Sequence, residues 1–447
     1  MHWEHSRSLA RGTFQVLGAR IPSGLIDLGF EAAAVDGEGI ATVNLRVVNG
    51  TVAALTPREL PNNIPTIDLG GGQLWPALID MHTHLDKGHI WPRAENPDGS
   101  HAAASIAVAA DRRANWRLDD VRQRFDFGLR CAYAHGTQAI RTHLDSHEAA
   151  QVEISWTIFR ELRERWRSRI ALQAVLMVML DAYGREGIEP VVRMVAETGG
   201  VLGGVTKIRT PLGLATDEVD YCLDRLFTLA GDHGLDIDLH VDETLDPAAS
   251  SLRQVAQAAL RHRFKGRISC GHCCSLSTQS EPAFRKTVEL CREAGIAIVT
   301  LPMVNLYLQD RQASHTPRRR GIAPVHELAA AGLAVAAASD NCRDPFYGYG
   351  DHDLIEVYRE FVRIAHLDRP YANWTQSVAA TPAALMGLAA GVIRDGGPAD
   401  LILFRARTMN ELLSRPQMDR IVIRGGHAID SMLPDYRELD GLFSGQP

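Results

Sequence analysis

The stretch LIDMHTHLDKGHI, residues 78–90, places His82 and His84 two positions apart directly behind an apolar run. If that run is a β-strand, residues two apart project to the same side, so both imidazoles can face one point. Imidazole nitrogens are common ligands of zinc and other divalent ions, so the pair can form half of a metal site. Taken alone, the pair fits a polar turn after a buried strand better, and the rest of the chain has to decide between the two.

Three other apolar runs end in side chains of the same kinds. One ends in HVDE, with His240 and Glu243; a second ends at His272; a third ends at Asp340. Imidazoles together with a carboxylate are the ligand types that a hard or borderline divalent ion binds. We therefore predict a metal centre that is built from the ends of several strands.

The elements that must position these side chains follow from the pattern of apolar runs. Eight such runs alternate with long amphipathic segments, at residues 73–84, 136–145, 170–180, 201–208, 235–243, 266–272, 295–303 and 332–341. Apart from a longer first gap, which leaves room for a loop over a site, the runs are spaced by about one βα unit. This series predicts a (β/α)8 TIM-type barrel over residues 78–385, with the active site at the carboxyl ends of its strands.

The two ends of the chain, residues 1–77 and 386–447, are β-rich instead. VNLRVVNGTVAAL, residues 43–55, alternates around Asn49-Gly50, which is a strong signal of a β-hairpin. Near the C-terminus, ADLILF and IVIRGGHAI read as further strands. We predict that both ends combine into one small β-sandwich domain.

Composition restricts the classes of partner. The chain has 447 residues and a net charge of −7, and its longest basic run is three arginines, so nucleic acid is not a favoured partner. We expect no membrane span, because no apolar run is long enough. The N-terminus lacks the apolar core of a signal peptide, and the odd number of cysteines, seven, fits free thiols. These features predict a cytoplasmic protein.

Several segments resemble the amidohydrolase superfamily, most closely its cytosine deaminase-like branch. They are ALIDMHTHLDK, IRTHLD, DLHVDE, ISCGH, MVNLYLQDR, PRRRGI and ASDNCRDPFYGYG, with GGPADLILF and VIRGG near the C-terminus. The HVDE and RRGI elements are specific to that branch, whereas the His-x-His pair is not. The Ser339-Asp340-Asn341 form is also similar to that of N-isopropylammelide aminohydrolase, a triazine enzyme of the branch.

The resemblance implies one catalytic metal ion, Zn²⁺ or Fe²⁺. Its implied ligands are His82, His84, His240 and Asp340. Glu243 would act as the proton-shuttling acid and base, and His272 would contact the metal-bound water or the leaving group. Homo-oligomers are common in the family, so we also expect a homo-oligomer.

The implied reaction is hydrolytic deamination of an amino-substituted N-heterocycle such as a pyrimidine, a triazine or a pterin. A metal ion lowers the pKa of bound water from about 15.7 toward 7 and so supplies hydroxide. Asp340 can take the proton from that water, and Glu243 can protonate a ring nitrogen as the adjacent carbon is attacked. The substrates needed are therefore only a small heterocycle and water.

The residues that contact the substrate are harder to predict from the sequence than the metal ligands. Near the end of the third strand, cytosine deaminase has a glutamine that reads the pyrimidine ring, and this chain offers Met177, Met179 or Asp181 instead. The predicted substrate contacts are Met179, Asp181, Lys207, Asn305, Gln309 and Asn341. Phe346 is either a stacking wall or simple loop packing. Asp86 and Lys87 are predicted to lie at the rim near the substrate, and the sequence assigns them no role.

Lys207 also keeps a second enzymatic interpretation open. A lysine at the end of the fourth strand can be carbamylated to bridge two metal ions in enzymes that cleave cyclic amides, as in dihydroorotase and hydantoinase. The glutamate at Glu243 belongs to the mononuclear deaminase pattern instead, which favours Lys207 as a substrate contact. A third interpretation, a catalytically silent binding protein, is disfavoured by the complete set of implied ligands.

Overall fold

The computed structural model describes residues 3–29, 34–61, 63–206 and 216–443. Its strands are β1 (Phe14–Pro22), β2 (Ile26–Asp27), β3 (Ile40–Val48), β4 (Thr51–Thr56), β5 (Thr66–Asp68), β6 (Leu74–Pro76), β7 (Leu78–Thr83), β8 (Thr137–Asp145), β9 (Ala171–Met177), β10 (Val201–Val205), β11 (Ile237–Val241), β12 (Ile268–His272), β13 (Ile296–Thr300), β14 (Val335–Ala337), β15 (Ile393–Arg394), β16 (Leu401–Leu403), β17 (Ile421–Arg424) and β18 (His427–Ala428). Its helices are α1 (Trp3–Leu9), α2 (His101–Asn115), α3 (Leu118–His135), α4 (Ala149–Trp166), α5 (Ile188–Glu197), α6 (Thr216–His233), α7 (Ser251–Arg261), α8 (Glu281–Glu293), α9 (Pro302–Leu308), α10 (Val325–Ala330), α11 (Leu354–Ala365), α12 (Tyr371–Trp374), α13 (Ala380–Met386) and α14 (Met409–Ser414). Short 3₁₀ turns lie at Ser23–Leu25, Trp91–Arg93, Leu180–Gly184, Cys274–Ser277, Thr375–Val378 and Tyr436–Leu442.

Strands β7 to β14 form one eight-stranded sheet in chain order. Every pair from β9 to β14 runs parallel. Thr83 at the end of β7 bridges in parallel to Asp340 after β14, and the Asp340 N–H donates to the His82 carbonyl at 2.8 Å. First and last strands are thus joined, and the predicted (β/α)8 barrel is confirmed. Each of the eight predicted apolar runs contains one of these strands.

Burial on both faces explains why these strands read as continuous apolar runs. All five residues of β11, β12 and β13 are buried, as expected for a parallel sheet that is covered by helices. The helices bury only one side: α8 begins after Ser280 and hides Thr287, Val288 and Cys291 on a single face. None of the helices within the described ranges is long and apolar enough to cross a bilayer.

The small β domain combines strands from both ends of the chain. Its sheets have the orders β4-β3-β1-β5 and β18-β17-β16-β6, with β15 beside β2 in a further pair. The predicted hairpin is present as β3 and β4, and Asn49 and Gly50 both have positive φ, 49° and 78°, as a type I′ turn requires. Strand β6 pairs antiparallel with β16, so the predicted combination of the two ends is confirmed.

The chain divides into two compact units. The domain boundaries predicted from the sequence, at 77/78 and 385/386, stay a prediction. One unit comprises Met1–Asp80, Arg130–Ala139 and His352–Pro434. The other comprises Met81–Leu129, Ile140–Asp351 and Asp435–Pro447.

A buried ion pair stabilises the first of these units. The carboxylate of Asp353 accepts from the Arg420 guanidinium, at 2.7 Å for Nη1, and caps α11 through the Ile355 N–H at 2.9 Å. His135 Nδ1 lies 3.6 Å from the same carboxylate. Burial alone raises the pKa of Asp353, but Arg420 and then His135 outweigh it and hold the pKa at about 2.

Asp353→Ala is expected to lower the free energy of unfolding by about 3–5 kcal/mol, because it leaves the buried Arg420 charge without its partner. A carboxyl whose pKa is lowered stabilises the fold above its unfolded pKa of about 3.9 and loses that effect as the pH falls. The wild-type protein should therefore lose this contribution between about pH 4 and about 2, and Asp353→Ala should lack that dependence. Thermal melting at several pH values measures both effects. Asp419→Ala, at an exposed ion pair with Arg405, is the control and should change stability by less than about 0.5 kcal/mol.

Candidate active site

Four buried side chains from three barrel strands meet beyond the carboxyl end of the sheet. His240 Nε2 lies 3.1 Å from His82 Nε2 and 3.2 Å from His84 Nε2. Asp340 Oδ1 lies 3.2 Å from His84 Nε2 and 3.7 Å from His82 Nε2. The structure thus brings the four predicted ligand residues close together, whereas the group whose candidate ligand atoms all lie within 4.8 Å of one another contains His272 in place of His84; the ligand roles stay a prediction.

Four of the six distances between these atoms are close to the spacing of ligand atoms around a tetrahedral ion. Ligand atoms that lie about 2.0–2.2 Å from a tetrahedral metal are about 3.4 Å apart, and the four distances, 3.1–3.7 Å, bracket that value. Burial first, and then neighbouring histidines and Lys87, lower the pKa values of His82, His84 and His240 well below the usual range. Low pKa values favour the neutral imidazole, which is the form that binds metal.

The strand ends that carry the site also carry unusual backbone conformations. Asp242, His272 and Asp340 have φ of 46°, 69° and 62°, in the left-handed region that non-glycine residues rarely adopt. Such strain clusters at functional sites, where the surrounding structure imposes it. Here it lets consecutive residues at the strand ends face different ways.

The HVDE segment shows this division of roles. His240 faces the cluster, whereas the Asp242 carboxylate turns back to accept from the N–H groups of Ser251 and Leu252, at 3.0 and 3.1 Å, at the start of α7. Glu243 then returns to the cavity. The segment therefore supplies one cluster residue, one helix cap and one acidic group.

Glu243 is held between two imidazoles. Its Oε2 lies 3.1 Å from His101 Nε2, and its Oε1 lies 3.7 Å from His272 Nδ1. His272 belongs to the same cluster as His82, His240 and Asp340, with candidate ligand atoms within 4.8 Å of one another. The predicted acid and base, Glu243, thus lies beside the cluster, as the deamination chemistry needs.

Asn305 and Gln309 contact residues of the site, and their predicted role as substrate contacts stays a prediction. The sequence predicts amides that read the edge of a substrate ring. In the structure, Asn305 Nδ2 lies 2.9 Å from His272 Nδ1, and Gln309 Nε2 donates to the Glu243 carbonyl at 3.3 Å. Both amides thus support residues of the site from behind and are not among the described residues that line the cavity.

A cavity of about 580 Å³ opens beside the cluster. Its polar wall includes His84, His240, His272, Asp340 and Glu243. Its apolar wall includes Val108, Met177, Met179, Val205 and Phe346. Most of the lining residues are polar or charged, and the apolar side chains offer surface against which a small ring can pack.

The remaining predicted substrate contacts divide into three cases. Met179 and Asn341 line the cavity, and the Asn341 amide donates to Asp344 at 2.7 Å. Asp181 lies in a helical turn, pairs with Arg185 and is not among the described lining residues. Lys207 lies outside the described residues.

The cavity residues to which the sequence analysis assigns no role include Lys87, His101 and Arg112. The last two belong to α2, which lies in the long gap after the first barrel strand. Arg93 anchors that helix, contacting Asp111 of α2 at 2.7 Å and Asp120 of α3 at 2.5 Å. The longer gap indicates a loop over the site, but no local signal indicates which of its side chains face inward.

Comparisons with known proteins identify a matching family and similar proteins. The model of the amidohydrolase family matches residues 127–429. Pterin deaminase from Rhizobium rhizogenes strain K84 is 50% identical over 406 residues, which cover 90% of this chain and 91% of the relative. N-isopropylammelide isopropyl amidohydrolase from Pseudomonas sp. strain ADP is 24% identical over 300 residues, 65% of this chain and 68% of the relative. The crystal structure of 5-methylcytosine deaminase from Klebsiella pneumoniae with phosphonocytosine has a TM-score of 0.77 at 22% identity and covers 94% of this chain and 98% of that one.

Proposed function

The chain belongs to the amidohydrolase family and is a hydrolytic deaminase of N-heterocycles, and we propose that its substrate is a pterin and that one divalent metal ion supports the reaction. Pterin is a fused bicyclic ring that carries an amine at position 2 and an oxo group at position 4. The proposed products are ammonia and the corresponding 2-oxo ring.

One observation carries this proposal: the four-atom cluster of imidazole nitrogens and a carboxylate oxygen lies in the same cavity as the Glu243 carboxyl. A metal-type cluster beside an acid-base group is what hydrolysis of a C–N bond needs. The choice of a pterin is supported by the 50% identity to the Rhizobium pterin deaminase over nine-tenths of the chain.

The proposed metal ligands are His82, His84, His240 and Asp340, and the proposed ion is Zn²⁺ or Fe²⁺. An ion bound there would supply a Lewis acid that lowers the pKa of water from about 15.7 toward 7. Three neutral imidazoles leave the ion most of its positive charge, and Asp340 contributes the single negative ligand.

The side chains then move the protons. In the proposed sequence, Asp340 takes one proton from the attacking water while Glu243 gives its own proton to the ring nitrogen beside carbon 2. When the C–N bond breaks, Glu243 takes back the remaining hydroxyl proton, and Asp340 passes its proton to the departing amine. His272, beside Glu243, is placed to hydrogen-bond the oxygen at the attacked carbon. All protons of the water are accounted for, and both carboxyl groups return to their starting states.

Metal content separates this proposal from hydrolysis of a cyclic amide. We expect about one divalent ion per chain, loss of activity on chelation and its return when the ion is restored. Elemental analysis of the purified protein and of Lys207→Ala measures this. About two ions per wild-type chain, with one lost in Lys207→Ala, would favour the binuclear amide hydrolase.

The experiment that tests the substrate class is an ammonia-release screen with metal-replete protein. The panel should include pterin, aminopyrimidines, aminotriazines and creatinine. Pterin should give the highest kcat/KM, and a clear preference for another ring would replace the proposed substrate.

A further inference from the structure

Lys87 places a buried ammonium group inside the cavity. It follows His84 by three residues, is 5% exposed, and lines the cavity. The ammonium lies 4.0 Å from Asp145 Oδ1, beyond hydrogen-bond distance, and 4.6 Å from the centroid of the Phe346 ring. The Phe346 ring thus helps to hold the ammonium in position through a cation–π contact.

The nearby carboxylates each have a partner at one oxygen, whereas the buried Asp145 Oδ1 and Asp86 Oδ1 accept no hydrogen bond within the described residues. The Arg112 guanidinium contacts Asp145 directly. Asp86 accepts from the Asp145 N–H at 2.8 Å and from Ser155 Oγ at 2.9 Å. Asp344 accepts from the Asn341 amide. Within the described ranges, no carboxylate comes closer to the Lys87 ammonium than the 4.0 Å contact with Asp145.

A buried ammonium has three hydrogens to donate and is costly to bury without acceptors. The Lys87 ammonium forms an ion pair with Asp145 Oδ1 that, at 4.0 Å, is too long for a hydrogen bond, so the ammonium can donate to a group that enters the cavity. An oxo oxygen on the substrate ring is such an acceptor. An amine on the ring is a hydrogen-bond donor, as the ammonium is, so the two groups cannot form a favourable hydrogen bond with each other. Attack on a ring carbon also shifts electron density toward a conjugated oxo oxygen, which a cation stabilises.

We propose that Lys87 binds the oxo oxygen of the substrate ring and thereby makes the protein select amino-oxo rings over diamino rings. This inference rests on the proposed deaminase function and goes beyond it by assigning the recognition of one ring substituent to one side chain. A purely structural Lys87, which only balances the charge of Asp145, is the competing explanation.

The test compares pterin with 2,4-diaminopteridine, in which an amine replaces the oxo group. Loss of the 2-amino group is followed by chromatography of the products, for the wild type, Lys87→Met and Lys87→Arg. In Lys87→Met, kcat/KM should fall roughly 10- to 100-fold for pterin, the range expected for a hydrogen bond to a charged group, and only a few-fold for the diamino ring. Lys87→Arg should keep part of the preference for pterin. Lys286→Met removes an exposed lysine of α8 and should change neither value.

Two results would overturn the inference: no loss on either ring in Lys87→Met, or equal losses on both rings, which would indicate the structural role. Metal content and melting temperature of each variant show whether the site has stayed assembled. The dissociation constants of both rings, measured by calorimetry, give a second readout that does not depend on turnover. If the wild type releases no ammonia from any ring, the proposed function fails, and the binding preference still decides the role of Lys87.

Discussion

Glu243→Gln is expected to lower kcat by roughly 10²- to 10⁴-fold, the range that general acid-base catalysis contributes. Glutamine has the shape of glutamate and can keep the contact with His101 Nε2, which lies 3.1 Å from the carboxylate. It cannot give or take a proton at neutral pH, so proton transfer to the ring nitrogen should fail while the fold and the metal content stay intact.

Steady-state ammonia release measures kcat, and elemental analysis and circular dichroism check the metal and the fold. Glu289→Gln, at an exposed glutamate that pairs with Lys286 on α8, is the matched control and should behave as the wild type. Activity within about tenfold of the wild type in Glu243→Gln would remove Glu243 from the acid-base role.

His240→Ala should release the metal and abolish turnover. The His240 Nε2 lies 3.1 Å from His82 Nε2 and 3.2 Å from His84 Nε2. Changes outside the ligand shell alone typically lower metal affinity about 10- to 100-fold, so loss of a ligand should lower it by more than roughly 100-fold.

Elemental analysis after dialysis against a weak chelator measures that loss. His262 follows the last residue of α7, contacts Asp224 of α6 and lies outside the cavity. His262→Ala should therefore keep the wild-type metal content. A full complement of metal in His240→Ala would refute its assignment as a ligand.

Most of the barrel is predictable from the sequence because its strands are buried on both faces. Each apolar run therefore contains a strand, and the side chains that follow it stand at the end of the sheet where sites form. His82 and His84 project together from β7, and Asp340 joins them because the last strand closes against the first. The apolar runs, together with the rule that sites form at the carboxyl ends of barrel strands, are therefore enough to predict that these residues lie close together.

Positions that depend on loop paths are not predictable in this way. His101 contacts Glu243 because helix α2 lies over the site. The position of α2 depends in turn on the contact between Arg93 and Asp111, and neither residue lies at the end of a strand. Asn305 lies in the short helix α9, where a rotation of the helix decides between the cavity and His272. Such choices depend on tertiary packing, which residue types and spacing do not encode.

The most direct test of the central claim is the conversion of pterin by metal-replete protein in ¹⁸O-labelled water, with ammonia and the ring product measured together. The account predicts equal amounts of ammonia and 2-oxo product, with the label in the new oxo oxygen. It is contradicted if no ammonia forms, or if the ring opens while its amine is retained.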